Sequence, residues 1–148
     1  MKVLHRLAKL EDAKRLFDIR RRSIIELASQ RMTSAEASAW AETLTVAGME
    51  RKLHELEIWV AEASAEAVGW AAILADRLEG LYTDPEFAGR GVGTGLLELV
   101  ELLMRGRRIP EVKLEASANA EAFYRRRGYE RTGAQTSHGA YSMRKRLY

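Results

Sequence analysis

The chain has 148 residues, is 47% hydrophobic and 30% charged, carries a net charge of +3 and contains no cysteine. These values fit one soluble domain spanning residues 1–148 and argue against disorder. They exclude disulfides, a cysteine nucleophile and zinc–thiolate sites.

The opening Met1-Lys2-Val3-Leu4-His5-Arg6 lacks the apolar core of a signal peptide, and the longest apolar stretch, Val68 to Ala75, is too short to cross a bilayer. A cytoplasmic protein without a membrane partner is therefore expected. In chain order, Lys2 to Leu7 is read as a first strand. From Glu11 to Ser29, Ala13, Leu16, Phe17, Ile24, Leu27 and Ala28 recur at threes and fours, which predicts an amphipathic helix. Further helices are expected over Ser34 to Leu44 and Val46 to Leu56. Glu57 to Ala63 and Ala67 to Asp76, joined by a short Ser-Ala-Glu link, read as an antiparallel hairpin. A third strand, Leu78 to Thr83, stops at Asp84-Pro85, where proline removes a donor.

From Gly93 to about Arg107, Leu96, Leu97, Val100, Leu103 and Met104 form one stripe of a helix, with Glu98, Glu101 and Arg105 on the opposite face. A strand over Glu111 to Ala116 follows, then a helix from Ser117 or Asn119 to Arg127, stopped by Gly128. Tyr129 to Thr132 and Tyr141 to Leu147 read as closing strands around a polar loop, Gly133 to Ala140. Arginines cluster at Arg20 to Arg22, Arg105 to Arg108 and Arg125 to Arg127 and are read mostly as solvated faces. Without aromatic interleaving they do not make nucleic acid the expected partner. His5, His54 and His138 have no ligand spacing, so no metal is expected.

Four glycines, Gly89, Gly91, Gly93 and Gly95, lie within seven residues between a strand and a helix. That order presents unpaired amides to an anion, phosphate above all. No Gly-Lys-Ser or Gly-Lys-Thr occurs, which removes the mononucleotide loop, and no register completes G-x-G-x-x-G. What remains is Arg90-Gly91-Val92-Gly93-Thr94-Gly95, an R-x-x-G-x-G pattern. Downstream, "NAEAFYRRRGY" from Asn119 to Tyr129 fits N-x-x-A-x-x-F-Y-x-x-x-G-[FY] with one position of slack before Phe123.

In these two motifs, their order and their separation, the chain resembles the GNAT superfamily of N-acetyltransferases. The resemblance implies an α+β fold with a mixed, mostly antiparallel sheet flanked by helices and a splayed, V-shaped cofactor cleft. It implies acetyl-CoA as cosubstrate and an amine acceptor, small-molecule or peptide, attacked directly in a ternary complex. Main-chain groups of Leu81, Tyr82 and Thr83 would meet the pantetheine arm, Arg90, Gly91, Val92, Gly93, Thr94 and Gly95 the pyrophosphate, and Asn119 would orient the arm. Tyr124 would protonate the departing sulfur. Glu79 is the first candidate base, with Glu62, Glu115 and Asp76 in reserve. A coenzyme A-binding sensor without turnover stays open as an alternative, as does a homodimer formed through the last strands.

Overall fold

The computed structural model describes residues 1–28, 35, 44–137 and 139–148. The helix expected over Ser34 to Leu44, Trp40 within it, and His138 lie outside the described residues except at Ala35 and Leu44. The strands are β1 (Val3–Leu7), β2 (Glu57–Ala63), β3 (Glu66–Leu74), β4 (Arg77–Thr83), β5 (Glu111–Ala116), β6 (Glu130–Gln135) and β7 (Tyr141–Arg146), and the helices are α1 (Ala13–Ala28), α2 (Val46–Glu55), α3 (Val92–Gly106) and α4 (Glu121–Arg125). All seven strands form one sheet in the order β1-β2-β3-β4-β5-β7-β6. Every pairing is antiparallel except β4 with β5. This is the mixed, mostly antiparallel α+β arrangement expected.

Two cores lie on opposite faces of the sheet. On one, Val92, Leu96, Leu97, Val100 and Met104 of α3 pack with Ala71 and Ile73 of β3, Val112 and Leu114 of β5 and Met143 of β7. On the other, Leu16 and Ile19 of α1 and Met49 of α2 pack with Val60, Trp70 and Ala72. β3 is covered on both faces, so Ala67 to Ile73 is buried throughout, and it reads as an unbroken apolar run rather than an alternation. Trp70 Nε1 donates to the Leu16 carbonyl at 3.0 Å and fixes α1 on the sheet. Gly69 has to be glycine: a Cβ there would sit 2.8 Å from Val92 Cγ1 and 2.9 Å from the Tyr82 carbonyl. That close approach seats the first turn of α3 directly on β3.

Three local expectations are revised. β6 continues to Gln135, through residues read as loop, because Gln135 still pairs with Tyr141. The helix expected up to Arg127 is regular only over Glu121–Arg125. Glu101, placed by periodicity on the outer face of its helix, is 5% exposed. Tyr129 donates its hydroxyl to Glu101 at 2.9 Å and Lys145 its ammonium at 2.8 Å, so groups arriving from β7 and from the residue before β6 bury and satisfy it.

Candidate active site

The site grows from the middle of the sheet. β4 and β5 are parallel neighbours, yet their register contains only Arg77↔Lys113 and Leu78↔Leu114. β4 runs five residues further, to Thr83, with β3 alone on its other side, while Glu115 and Ala116 of β5 pair only with β7. The strands therefore part beyond Leu78 and leave one edge of Glu79 to Thr83 with main-chain groups open to an extended partner.

The departure begins at a bulge. Ala72 faces Gly80 and Ile73 faces Leu78, so Glu79 is the extra residue between them. The bulge breaks the two-residue alternation of a regular strand: Leu78 and Leu81 both pack into the α3-side core, whereas Tyr82 packs into the α1-side core. Glu79 is exposed and accepts from Arg77 Nε at 3.3 Å. The Tyr82 ring covers Gly80, where a Cβ would lie 2.9 Å from Tyr82 Cε2. It also stands 4.7 Å, centroid to centroid, from Trp70.

β4 ends in a built corner. Asp84 is 1% exposed and accepts from the Glu86 amide at 3.0 Å, from Arg15 Nη2 at 2.6 Å and from Arg22 Nη1 at 3.1 Å. Burial pushes its carboxyl up, but the amide and the two arginines outweigh burial and hold it below the usual carboxylate range. A residue read only as the partner of a turn proline thus fastens α1 to the corner that delivers the glycine segment.

That segment turns through Gly89 and Gly91 at φ of 76° and 82°, left-handed conformations that glycine alone adopts cheaply. Among the described residues, nothing lies within 4 Å of where their Cβ atoms would stand. Gly91 is the N-cap of α3, and the Gly95 amide is already donated to the Gly91 carbonyl at 2.9 Å. The amides left at the helix start are those of Val92, Gly93 and Thr94, which lack an intrahelical acceptor. Gly95, grouped with them in the sequence, faces elsewhere: a Cβ there would lie 3.7 Å from the His5 ring. Arg90 is exposed, with its guanidinium 5.4 Å from the Phe87 ring centroid.

α4 closes the other side of the opening. A Cβ on Gly93 would meet Phe123 Cζ and Thr83 Oγ1, both at 3.5 Å, so the helix start, the end of β4 and α4 converge at that glycine. Arg127, read as part of a solvated cluster, is engaged here. Its Nη2 and Nε donate to Thr94 Oγ1 at 2.6 and 3.1 Å, its Nη1 to the Phe123 carbonyl at 2.8 Å, and its guanidinium lies 3.7 Å from the Phe123 centroid. No residue spacing signals this link across 33 positions.

Tyr124 is buried on the α3-side core, with ring centroids of Phe123 and Tyr129 at 5.2 and 5.5 Å. Burial, and secondarily Tyr82, raises its phenol well above the ordinary value of 10.0. It keeps its proton at neutral pH. Asn119 lies half-buried in the turn between β5 and α4. Of the reserve acids, Glu62 is paired with Arg6 at 3.0 Å and Asp76 with Lys113 at 2.9 Å, while Glu115 is exposed on β5.

A mixed sheet that parts at a bulged strand, followed by a glycine turn feeding bare amides, offers a strand edge to an extended ligand and a helix start to its phosphates. The acetyltransferase (GNAT) domain family matches residues 28–143. Over 109 residues the chain is 30% identical to the uncharacterized N-acetyltransferase YafP of Escherichia coli, covering 74% of this chain and 69% of that protein. Among solved structures, a GCN5-related N-acetyltransferase from Rhodopseudomonas palustris superimposes with a TM-score of 0.86 at 27% identity, covering 99% of this chain and 96% of that one. The PaiA N-acetyltransferase of Thermoplasma acidophilum, solved with coenzyme A, shares the fold at a TM-score of 0.83 and 21% identity, covering 99% of each chain. The chain belongs to the GNAT family and is an acetyl-CoA-dependent N-acetyltransferase.

Proposed function

We propose that this enzyme moves an acetyl group from acetyl-CoA to a primary amine by direct attack in a ternary complex. The observation that carries the reading is the parting of β4 from β5 beside the amides of Val92, Gly93 and Thr94. In this reading those amides, with the dipole of α3 behind them, hold the pyrophosphate. Gly89 and Gly91 shape the turn, Arg90 adds charge at its rim, and the open edge of Leu81, Tyr82 and Thr83 pairs with the pantetheine arm, which Asn119 orients. The cosubstrate supplies the acetyl thioester. Gly95 contributes by lacking a side chain rather than by its amide, which is spent within the helix.

Glu79, in the bulge, takes a proton from the acceptor's ammonium group, and the freed lone pair forms the new C–N bond as the C–S bond breaks. Tyr124, held neutral by burial, gives its proton to the leaving sulfur. The ammonium group sheds two protons on becoming an amide: one replaces the proton that Tyr124 gave, and the other leaves to solvent. No cysteine is available, so the acyl group passes without an acetyl-cysteine stage.

The test is release of free thiol from acetyl-CoA over a panel of amines, for the wild type and Tyr124→Phe, with coenzyme A affinity measured in parallel. Amine-dependent release that collapses in the variant while affinity is kept supports the reading. Full activity in Tyr124→Phe removes its proton donor, and tight binding with no amine-dependent release favours the sensor.

A further inference from the structure

On the side of the sheet that carries α1 and α2, a cavity of about 300 Å³ opens between the two helices. Phe17 and Met49 contribute apolar wall, and among the described residues the charged lining is Arg20, Arg51, Lys52 and Glu55, three cations against one carboxylate. The size is that of a small-molecule site.

Arg20 sits where this cavity approaches β4, its guanidinium carbon 5.5 Å from the Tyr82 ring centroid. Arg15 and Arg22, its neighbours on α1, share Asp84 and are paired further with Glu66 and Glu86. The Nε of Arg20, by contrast, is buried with no hydrogen-bond partner among the described residues. Lys52 stands near enough to feel it: burial lowers the Lys52 pKa, and the charge of Arg20 lowers it further against the opposing pull of Glu79 and Glu55. Two cations at one wall, one with an unsatisfied buried nitrogen, are costly in the protein alone and are relieved by an anionic guest.

The position matters as much as the charge. Glu79, the proposed base, is one of the groups that Lys52 senses, and Tyr82, against which Arg20 rests, is the neighbour that raises Tyr124. The cationic wall therefore borders the strand segment where the chemistry takes place.

We propose that the acceptor is a small amine that also carries an oxyanion, a carboxylate or a phosphate, which Arg20 and Lys52 hold while the amine reaches Glu79. This rests on the acetyl-transfer reading above, and the test separates the two. Thiol release is measured with amine pairs of one skeleton: an amino acid against its carboxamide, and an aminoalkyl phosphate against its amino alcohol. The anionic member of at least one pair is expected to be preferred by roughly tenfold or more in kcat/KM, chiefly through KM. That preference should shrink to roughly twofold in Arg20→Gln and in Lys52→Gln, as the buried charge contact is lost. Which pair shows it separates carboxylate from phosphate.

Neutral members used as well as anionic ones, or a preference undiminished in both variants, would overturn the inference. If coenzyme A binds but no amine releases thiol, the transfer reading fails, and calorimetry decides the pocket. N-acetyl amino acids or acetamidoalkyl phosphates binding in preference to their neutral counterparts, and losing that preference in Lys52→Gln, uphold it. Equal binding, or none, refutes it.

Discussion

The glycine-turn side of the β4 edge and its α1–α2 side are made from different parts of the chain. In the proposed reading, the working groups on the first are main-chain amides of Val92, Gly93 and Thr94, contiguous in sequence and shaped by the positive φ of Gly89 and Gly91. On the second, they are side chains: Arg20 from α1, Lys52 from α2, and Glu79 and Tyr82 from β4. A backbone site serves a ligand common to a whole family. A side-chain site can be rebuilt for each acceptor without disturbing the first.

Variants that damage one side while sparing the other sharpen this contrast. The largest effect is expected from Tyr124→Phe, which should lower kcat roughly 10²–10⁴-fold, the usual value of a general acid, with coenzyme A affinity little changed; steady-state kinetics and calorimetry check this.

Asp84 joins the two sides, so Asp84→Ala should damage both. Leaving Arg15 and Arg22 without their buried partner should cost about 3 kcal/mol in denaturant unfolding. The acid branch gives an independent check. The Asp84 carboxyl is held below its ordinary 3.8, so its contribution is present above that pH and is lost as pH falls through the lowered native value. Stability in Asp84→Asn should therefore change less steeply below about pH 4 than in the wild type.

Glu79→Gln should reduce kcat/KM by roughly ten- to a hundredfold, with coenzyme A affinity unchanged. A variant with undiminished kcat/KM assigns the base elsewhere. On the glycine side, Gly93→Ala meets only ordinary contacts within the protein, at 3.5 Å. It should leave unfolding within about 1 kcal/mol of wild type, since Ala is the better helix former, while weakening coenzyme A roughly tenfold through lost backbone approach. Gly106→Ala, with none of the described residues within 4 Å of the new methyl, should do neither harm and should stabilise by roughly 0.5–1 kcal/mol.

The same division explains what could be read from the letters. The strands and the stripe of α3 follow from periodicity, which is local. The glycine turn was legible because unusual backbone demands an unusual residue. The bulge at Glu79 was not placed by the letters, since it is set by how Ala72 and Ile73 of a different strand meet β4. Asp84 looked like a turn residue and Glu101 like a surface one, because the arginines, the tyrosine and the lysine that justify their burial come from distant segments. Gly69 resembled an ordinary glycine in a strand until the Tyr82 carbonyl and Val92 were placed beside it. Arg127 was hidden in a run of three arginines, of which it is the one that holds Thr94.

The central claim is that the start of α3 grips a diphosphate and thereby delivers a thioester to the opening beside Tyr124. Calorimetric titration of the intact protein with coenzyme A and, separately, with pantetheine, which lacks the diphosphate, tests it most directly. Saturable binding of coenzyme A, with pantetheine weaker by roughly tenfold or more, is the predicted result. No binding of coenzyme A, or pantetheine bound equally well, would contradict it.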